Sequence, residues 1–235
     1  MPDSLREIGK NAFGYGSVLR EVEFNKGLKK IGDNAFYSSP LQDVQLPSSV
    51  ESIGGLAFCV TEGFGEIVLP ENLRLIGNNA FFVEKSYDEP VDGYTITQEA
   101  LRIPEGLFLE ETTDFLDGIG IERYEVDEGN ANYSADDGLL MSRSGQELIA
   151  VPTLRSGEFR IPEGVTKVRY AAFNGCSLIT DIYVPDSVLD IGNIDDYDLD
   201  DDMNRQYHYV LHCHEGSEAA KILDANDVPW VKIQE

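Results

Sequence analysis

An apolar-x-apolar-proline motif recurs along this chain: Val44–Pro47, Ile67–Pro70, Leu101–Pro104, Phe159–Pro162 and Ile182–Pro185. Val22–Asn25 and Tyr124–Asp127 are versions with the proline replaced. The alternation in Val44-Gln45-Leu46 has period two, which predicts a short strand with Val44 and Leu46 on the core face. Proline ends it, because proline cannot donate to a ladder and forces a turn. Between these strands lies a second motif, Ile-Gly-x-x-Ala-Phe, at Ile8–Phe13, Ile31–Phe36, Ile53–Phe58 and Ile76–Phe81. A fifth copy is Val168–Phe173, and a sixth begins at Ile191-Gly192 but loses its Ala-Phe.

The two motifs keep one register. The strand-ending residue falls at 25, 47, 70, 104, 127, 162 and 185, with gaps of 22, 23, 34, 23, 35 and 23 residues. Pro2, Asn25, Pro47, Pro70 and Pro162 each precede a phenylalanine by 11 residues, and the same offset from Pro104 lands on Phe115, so a degenerate repeat hides there. Two gaps equal one repeat plus about a dozen residues. Within a unit, Val50 and Ile53 reach back into the core, and Gly54 allows a turn that a side chain would hinder. Ala57 is small where chains crowd, and Phe58 fills the layer between neighbours. A unit of this length cannot bury its apolar face alone, so units must stack. Stacked strands form a parallel sheet at about 4.8 Å per rung, roughly 30 Å over seven rungs. A globular α/β fold needs longer helices between strands, and the proline punctuation leaves no room for them.

These segments resemble the bacterial leucine-rich repeats of the BspA type over nearly the whole chain. The resemblance rests on Ile31–Phe36, Val44–Pro47, Ile53–Phe58, Ile67–Pro70, Ile76–Phe81 and Phe159–Cys176. Asn130–Ser134, Asp137–Leu140 and Leu148–Pro152 are similar to the β-hairpin insertion that the family places between repeats. The end, from His214, is similar to its closing cap, with Ser217 as N-cap of a helix over about 218–225 and a last strand over Val228–Ile233. The fold class expected is an α/β solenoid: a leucine-rich-repeat right-handed superhelix with a parallel β-sheet face, short 3-10 or irregular turns opposite, one β-hairpin insertion and a C-terminal helix–strand cap. The expected organisation is a single solenoid over 1–235, with repeats over about 1–81, an insert at 82–100, a degenerate repeat at 101–126, the hairpin insertion at 127–158, repeats at 159–194, an acidic loop at 195–203 and the cap at 204–235. The resemblance implies a secreted or surface-displayed protein that binds host proteins, other cells or glycans and has no enzymatic activity or cofactor.

Charge narrows the partners. Among 235 residues, 18 Lys and Arg face 43 Asp and Glu, a formal net charge of −25. That excess argues against nucleic acid, whose affinity comes from neutralised phosphates, and against a polybasic membrane contact. No apolar run approaches the roughly 20 residues of a membrane helix. Hydrophobic content of 42% is enough for a core. Three cysteines cannot build a disulfide framework. The opening residues lack the basic and apolar regions of a signal peptide, and the chain enters in mid-repeat at Pro2–Leu5. That leaves two readings: upstream residues removed, or an intracellular member.

The chemistry-bearing clusters are few. His208, His212 and His214 lie on one face of an alternating segment, 207–214, with Tyr207, Tyr209, Leu211 and Cys213 on the other. His208 and His212 stand about 13 Å apart along an extended strand, too far to share a zinc ion, whereas His212 and His214 are closer. Asp196, Asp198 and Asp200 have the spacing that opens an EF-hand loop, but the glycine and the bidentate glutamate are missing. The bland reading of the histidines is polar residues on the outer face of the last rung before the cap, and that of the aspartates is a solvated acidic loop replacing the lost Ala-Phe of the sixth repeat. Cys59 and Cys176 follow repeat phenylalanines and read as small hydrophobes. Asn132-Tyr133-Ser134 fits a glycosylation sequon and reads as turn chemistry.

The reading these features support is a non-enzymatic protein- or glycan-binding module with the outward strand positions as its surface: Glu21, Glu23, Asp43, Gln45, Glu66, Arg102, Glu125, Arg160 and Tyr183. Tyr87 and Tyr94 in the long insert are a second surface. The mostly acidic set favours a basic partner. The alternatives are a spacer or Ca²⁺-stabilised stalk, and a metal-dependent hydrolase built on the three histidines.

Overall fold

A computed structural model describes residues 1–15, 18–42, 44–61, 64–82, 96–109, 119–192, 197–199 and 205–234. They divide into two compact units, Met1–Asn132 and Tyr133–Glu235.

Unit 1 contains β1 (Glu7–Ile8), β2 (Lys30–Ile31), β3 (Ser52–Ile53), β4 (Leu75–Ile76), β5 (Ile96–Ile103) and β6 (Ile119–Val126). Strands β1 to β4 pair in parallel in sequence order, with Ile8, Ile31, Ile53 and Ile76 in register. Phe108 adds a parallel bridge to Leu75. The ladder therefore runs through the residues just before each glycine, not through Val44–Leu46 as the alternation predicted. Burial still alternates there, with Val44 buried, Gln45 exposed and Leu46 half-buried. In the next rung, the side chain of Gln98 takes both backbone groups of Ile67, accepting from its N–H at 2.9 Å and donating to its carbonyl at 3.3 Å. The one N–H that Ile67 could give to a ladder is thereby taken. The proline motif does form a ladder in β5 and β6, which pair in parallel with Leu101 opposite Tyr124.

Each strand-ending residue accepts a hydrogen bond from the N–H three residues on, for example Val50 to Pro47 at 3.1 Å and Leu73 to Pro70 at 2.9 Å. The turn points Leu28, Val50, Leu73 and Leu107 into the core, all fully buried. Phe13, Phe36, Phe58 and Phe81 stack nearly parallel with centroids 5.3, 5.2 and 5.6 Å apart. Phe64 meets Phe58 and Phe81 edge-on at 5.2 Å. Ala35, Ala57 and Ala80 are fully buried beside the rings. Asn11, Asn34, Leu56 and Asn79 share a left-handed backbone, φ 53–57°, a conformation in which asparagine is enriched.

The glycines of the repeat have a different reason from the one the sequence suggested. A Cβ on Gly32, Gly54 or Gly77 would lie 2.7, 2.5 and 2.3 Å from a backbone nitrogen of the preceding rung. Close approach between rungs, rather than turn freedom, excludes a side chain. On Gly9 a Cβ would meet nothing within 4 Å.

Unit 2 contains β7 (Tyr133–Asp136), β8 (Leu139–Ser142), β9 (Glu147–Ala150), β10 (Gly157–Arg160), β11 (Lys167–Val168), β12 (Ile179–Tyr183), β13 (Asp190–Ile191), β14 (Tyr197–Leu199), β15 (Arg205–Tyr207), β16 (Val210–Cys213), α1 (Glu218–Ala225) and β17 (Trp230–Lys232). The predicted hairpin is β7–β8, antiparallel, turning at Asp137 and Gly138 with φ of 46° and 75°, the combination a type I′ turn requires. Strand β9 returns antiparallel to β8 and parallel to β11, so the insertion feeds a parallel ladder β9–β11–β13. A second parallel sheet has the order β10–β12–β16–β17.

The segment 207–214 is not one strand. Strand β15 ends at Tyr207 and pairs antiparallel with β14, while β16 starts at Val210 and pairs in parallel with β12. The cap is as expected: Ser217 accepts from the Ala220 N–H at 3.1 Å, α1 buries Ala219, Ala220 and Leu223, and β17 closes the sheet on β16. No helix among the described residues is long and apolar enough to cross a membrane.

Candidate functional site

The middle residue of each apolar-x-apolar-proline motif stands two positions before a turn residue and projects outward, because its neighbours on both sides face the core. In unit 1 these residues include Glu23, Gln45, Val68, Arg102 and Glu125, all exposed. Arg102 lies opposite Glu125 across β5–β6 and is ion-paired with Asp127. Arg123 bridges Glu99 at 2.6 Å and Glu125 at 2.9 Å. Glu21 and Glu66 are exposed beside the same positions. The structure thus joins Arg102 and Glu125 in one charged cluster. Asp43, Tyr87 and Tyr94 lie outside the described residues.

Unit 2 assembles its outward positions into a column. Arg160, Tyr183, His212 and Val231 are register partners across β10, β12, β16 and β17. The Arg160 guanidinium carbon sits 3.8 Å from the Tyr183 ring centroid, within cation–π range. On the other side, the His212 ring stacks on Tyr183 at 4.4 Å and 10°. His212 Nε2 is 2.8 Å from Asp181 Oδ1, and Thr180 Oγ1 donates to Asp181 Oδ2 at 2.8 Å. These two bonds, that of His212 first, hold the Asp181 carboxyl below the usual carboxylate range against a smaller opposing effect of burial. Val231 ends the column and Val210, opposite Asp181, lies beside it, 48% and 44% exposed.

Sequence reasoning picked Arg160 and Tyr183 as contact residues and read His212 as an outer-face residue of the last rung, with a metal site as the rival, but did not place it beside Tyr183. The missed signal is the spacing. His214 follows Pro185 by 29 residues, one repeat plus six, and Ser217 N–H donates to the His214 carbonyl at 3.2 Å just as Val188 does to Pro185 at 3.1 Å. His214 is therefore a turn residue, and His212 stands two before it, as Tyr183 stands before Pro185.

The two histidines have separate carboxylate neighbours. His212 faces Asp181, while His214 Nδ1 lies 3.0 Å from Asp186. Among the described residues no three His, Cys, Asp or Glu side chains are grouped as a metal ion requires. Asp198 lies in β14 opposite Gln206, and Asp196 and Asp200 lie outside the described residues. Cys59, Cys176 and Cys213 are buried thiols. Burial pushes the Cys213 thiol up to about 12, so it is protonated at neutral pH and is a poor nucleophile.

A family model described as the BspA type leucine rich repeat region matches in six copies, over residues 1–111 and 154–194. The pneumococcal vaccine antigen PcpA has a similar fold, with a TM-score of 0.54 and 23% identity over 81% of this chain and 45% of that one. A leucine-rich repeat protein from Bacteroides ovatus matches with a TM-score of 0.45 and 19% identity, over 83% of this chain and 51% of that one. A leucine-rich cell surface protein from Faecalibacterium prausnitzii matches with a TM-score of 0.39 and 23% identity, over 80% and 60%. The chain thus spans about half the length of these solved structures. No curated protein matches it.

Proposed function

We propose that this chain, which belongs to the BspA-type leucine-rich repeat family, is a non-enzymatic binding module of a bacterial surface or secreted protein, capturing a protein on the outer face of the β10–β12–β16–β17 sheet. The observation that carries this reading is the Arg160–Tyr183–His212 stack. Tyr183 is clamped on both faces before any partner arrives, so little side-chain entropy remains to be lost on binding. Arginine and tyrosine are the residue types that anchor protein interfaces, and half-exposed valines beside them supply apolar area. The −25 net charge favours a basic partner surface. Cys213, the thiol nearest the two histidines in sequence, faces the buried side of β16, which fits recognition rather than nucleophilic chemistry.

The test is binding to a panel of matrix proteins and mucins at about 150 and 500 mM salt. The expected result is a hit that weakens at high salt and falls about thirtyfold in Tyr183→Ala, the loss of an interface anchor. Silence across the panel, or a hit indifferent to Tyr183→Ala, sinks the reading and leaves a spacer role in its place.

A further inference from the structure

The outer face of β1–β4 in unit 1 carries a feature that the sequence did not announce. Gly32, Gly54 and Gly77 line up rung over rung, and their bare backbone forms the floor of an open groove of about 490 Å³. One wall is the outward strand residues, from Glu7 and Lys30 through Ser52 to Leu75 and Phe108. The opposite wall is the residues after the glycines, among them Lys10, Asp33 and Asn78. We propose that this groove binds a neutral linear oligosaccharide.

Three observations select that ligand. The charged residues of the rim neutralise one another: Lys30 lies 3.3 Å from Glu7, and Lys10 lies 3.7 Å from Asp33. A locally neutral rim in a chain of net charge −25 favours neither a cation nor an anion. It does present paired carboxylate acceptors and ammonium donors, with a hydroxyl at Ser52 and an amide at Asn78, and vicinal sugar hydroxyls use both kinds of group. At the far end, Leu75 and Phe108 are 53% and 52% exposed on adjacent rungs, an apolar platform for the C–H face of a pyranose ring. The third observation excludes an added peptide strand. The glycine N–H groups of the floor are already used between rungs, Gly32 to Ile8, Gly54 to Ile31 and Gly77 to Ile53 at 2.8–2.9 Å. A peptide laid in the groove finds no ladder to join. Five rungs at about 4.8 Å span about 19 Å, and each rung is commensurate with one sugar of an extended chain.

The equivalent position in unit 2 is closed. Arg169 stands where the glycine would be and reaches Glu147 at 3.2 and 3.4 Å, so the groove belongs to unit 1.

The experiment is calorimetric titration of the intact chain with cellotetraose, laminaritetraose and mannotetraose. The expected result is saturable binding of at least one of them, unchanged between about 150 and 500 mM salt because the ligand carries no charge to screen. Phe108→Ala should weaken it at least tenfold, and Ser52→Trp, which fills the groove from one wall, should abolish it, with both variants melting as cooperatively as the parent. Absence of binding for all three sugars overturns the proposal, as does binding that survives both substitutions or is lost on raising salt. Protein capture by unit 2 is read in its own assay, so failure of either reading leaves the other standing.

Discussion

In unit 1 the residue after the strand isoleucine is glycine in four successive rungs, whereas in unit 2 the same position is Arg169 and then Gly192. Glycine is demanded where the preceding rung makes the same turn, because the two backbones come too close for a Cβ. Gly192 follows the Arg169-Tyr170 turn, and a Cβ on it would lie 2.3 Å from the Tyr170 nitrogen. Arg169 instead follows β9, which arrives from the hairpin as an extended strand, and the freed space holds a guanidinium paired with Glu147. The aromatic core differs in the same way. Unit 1 has successive copies of the Ala-Phe ring, which stack face to face with Phe24 and Phe64 edge-on at 89°, while unit 2 has one such ring, Phe173, which meets Phe159 at 77° and Tyr209 at 52°. One repeat sequence thus yields two packings, decided by what the previous rung does.

The largest expected effect tests the stacked core. Phe58 is buried between Phe36 and Phe81, with Phe64 at its edge. Phe58→Ala should destabilise the chain by about 3–5 kcal/mol, read by denaturant unfolding. A loss below about 1 kcal/mol would mean that the stack is not the core of unit 1. Gly77→Ala comes next. Its Cβ would fall 2.3 Å from the Gly55 nitrogen, and backbone cannot yield as a flexible side chain does, so about 2–3 kcal/mol should be lost. Gly9→Ala has open space and should be neutral or slightly stabilising. Equal effects at the two glycines would refute the close-approach account.

Much of this was legible in sequence because it rests on local chemistry. The 11-residue offset between turn residue and phenylalanine appears as the turn bonds to Pro47 and Pro70 and as the buried ring stack. Ser217 marked its helix, since an N-cap names its residue, and the hairpin was read from its alternating apolar residues and the family resemblance, with Asp137-Gly138 as its turn. The choice of ladder was not legible. Ile53 and Val44 are both buried apolar residues beside a break, and only pairing between rungs decides which segment hydrogen-bonds. The outer column was half legible. Arg160 and Tyr183 keep the regular spacing and the histidines read as outer-face residues of the last rung, but six extra residues before His214 hid which of them stands beside Tyr183. The groove was invisible because its defining residues have no side chains and its apolar end, Phe108, sits in the degenerate repeat.

The ion pair that fills the glycine position in unit 2 gives a middle-sized effect. The Arg169 side chain is 9% exposed and that of Glu147 is 21% exposed. Glu147→Ala removes a carboxylate that faces both the largely buried Arg169 guanidinium and Lys167 at 3.6 Å, and a loss of about 2 kcal/mol is expected, less than for a fully buried pair because water reaches the carboxylate. Thermal unfolding at two salt concentrations checks it. A loss that grows with salt would contradict the assignment, because salt screens whatever part of the pair is exposed.

The smallest effect lies on the outer column and concerns pH. The Asp181 carboxyl is held below its ordinary range, chiefly by the bond to His212 and then by Thr180. A carboxyl whose pKa is lower folded than unfolded adds stability above its unfolded value, near pH 3.9. That stability is lost as the pH falls through the lower folded value, because the unfolded chain then takes up the proton more readily. Stability measured by urea unfolding should therefore fall towards acid more steeply in the parent than in Asp181→Asn, with the difference confined to the region below about pH 4. The amide should also loosen the His212 ring from its place on Tyr183, which near-ultraviolet circular dichroism of the tyrosine reports at neutral pH. If the two chains lose stability in parallel through the acid range, the Asp181–His212 bond does not act on folding, and the column owes its order to the Arg160–Tyr183–His212 stack alone.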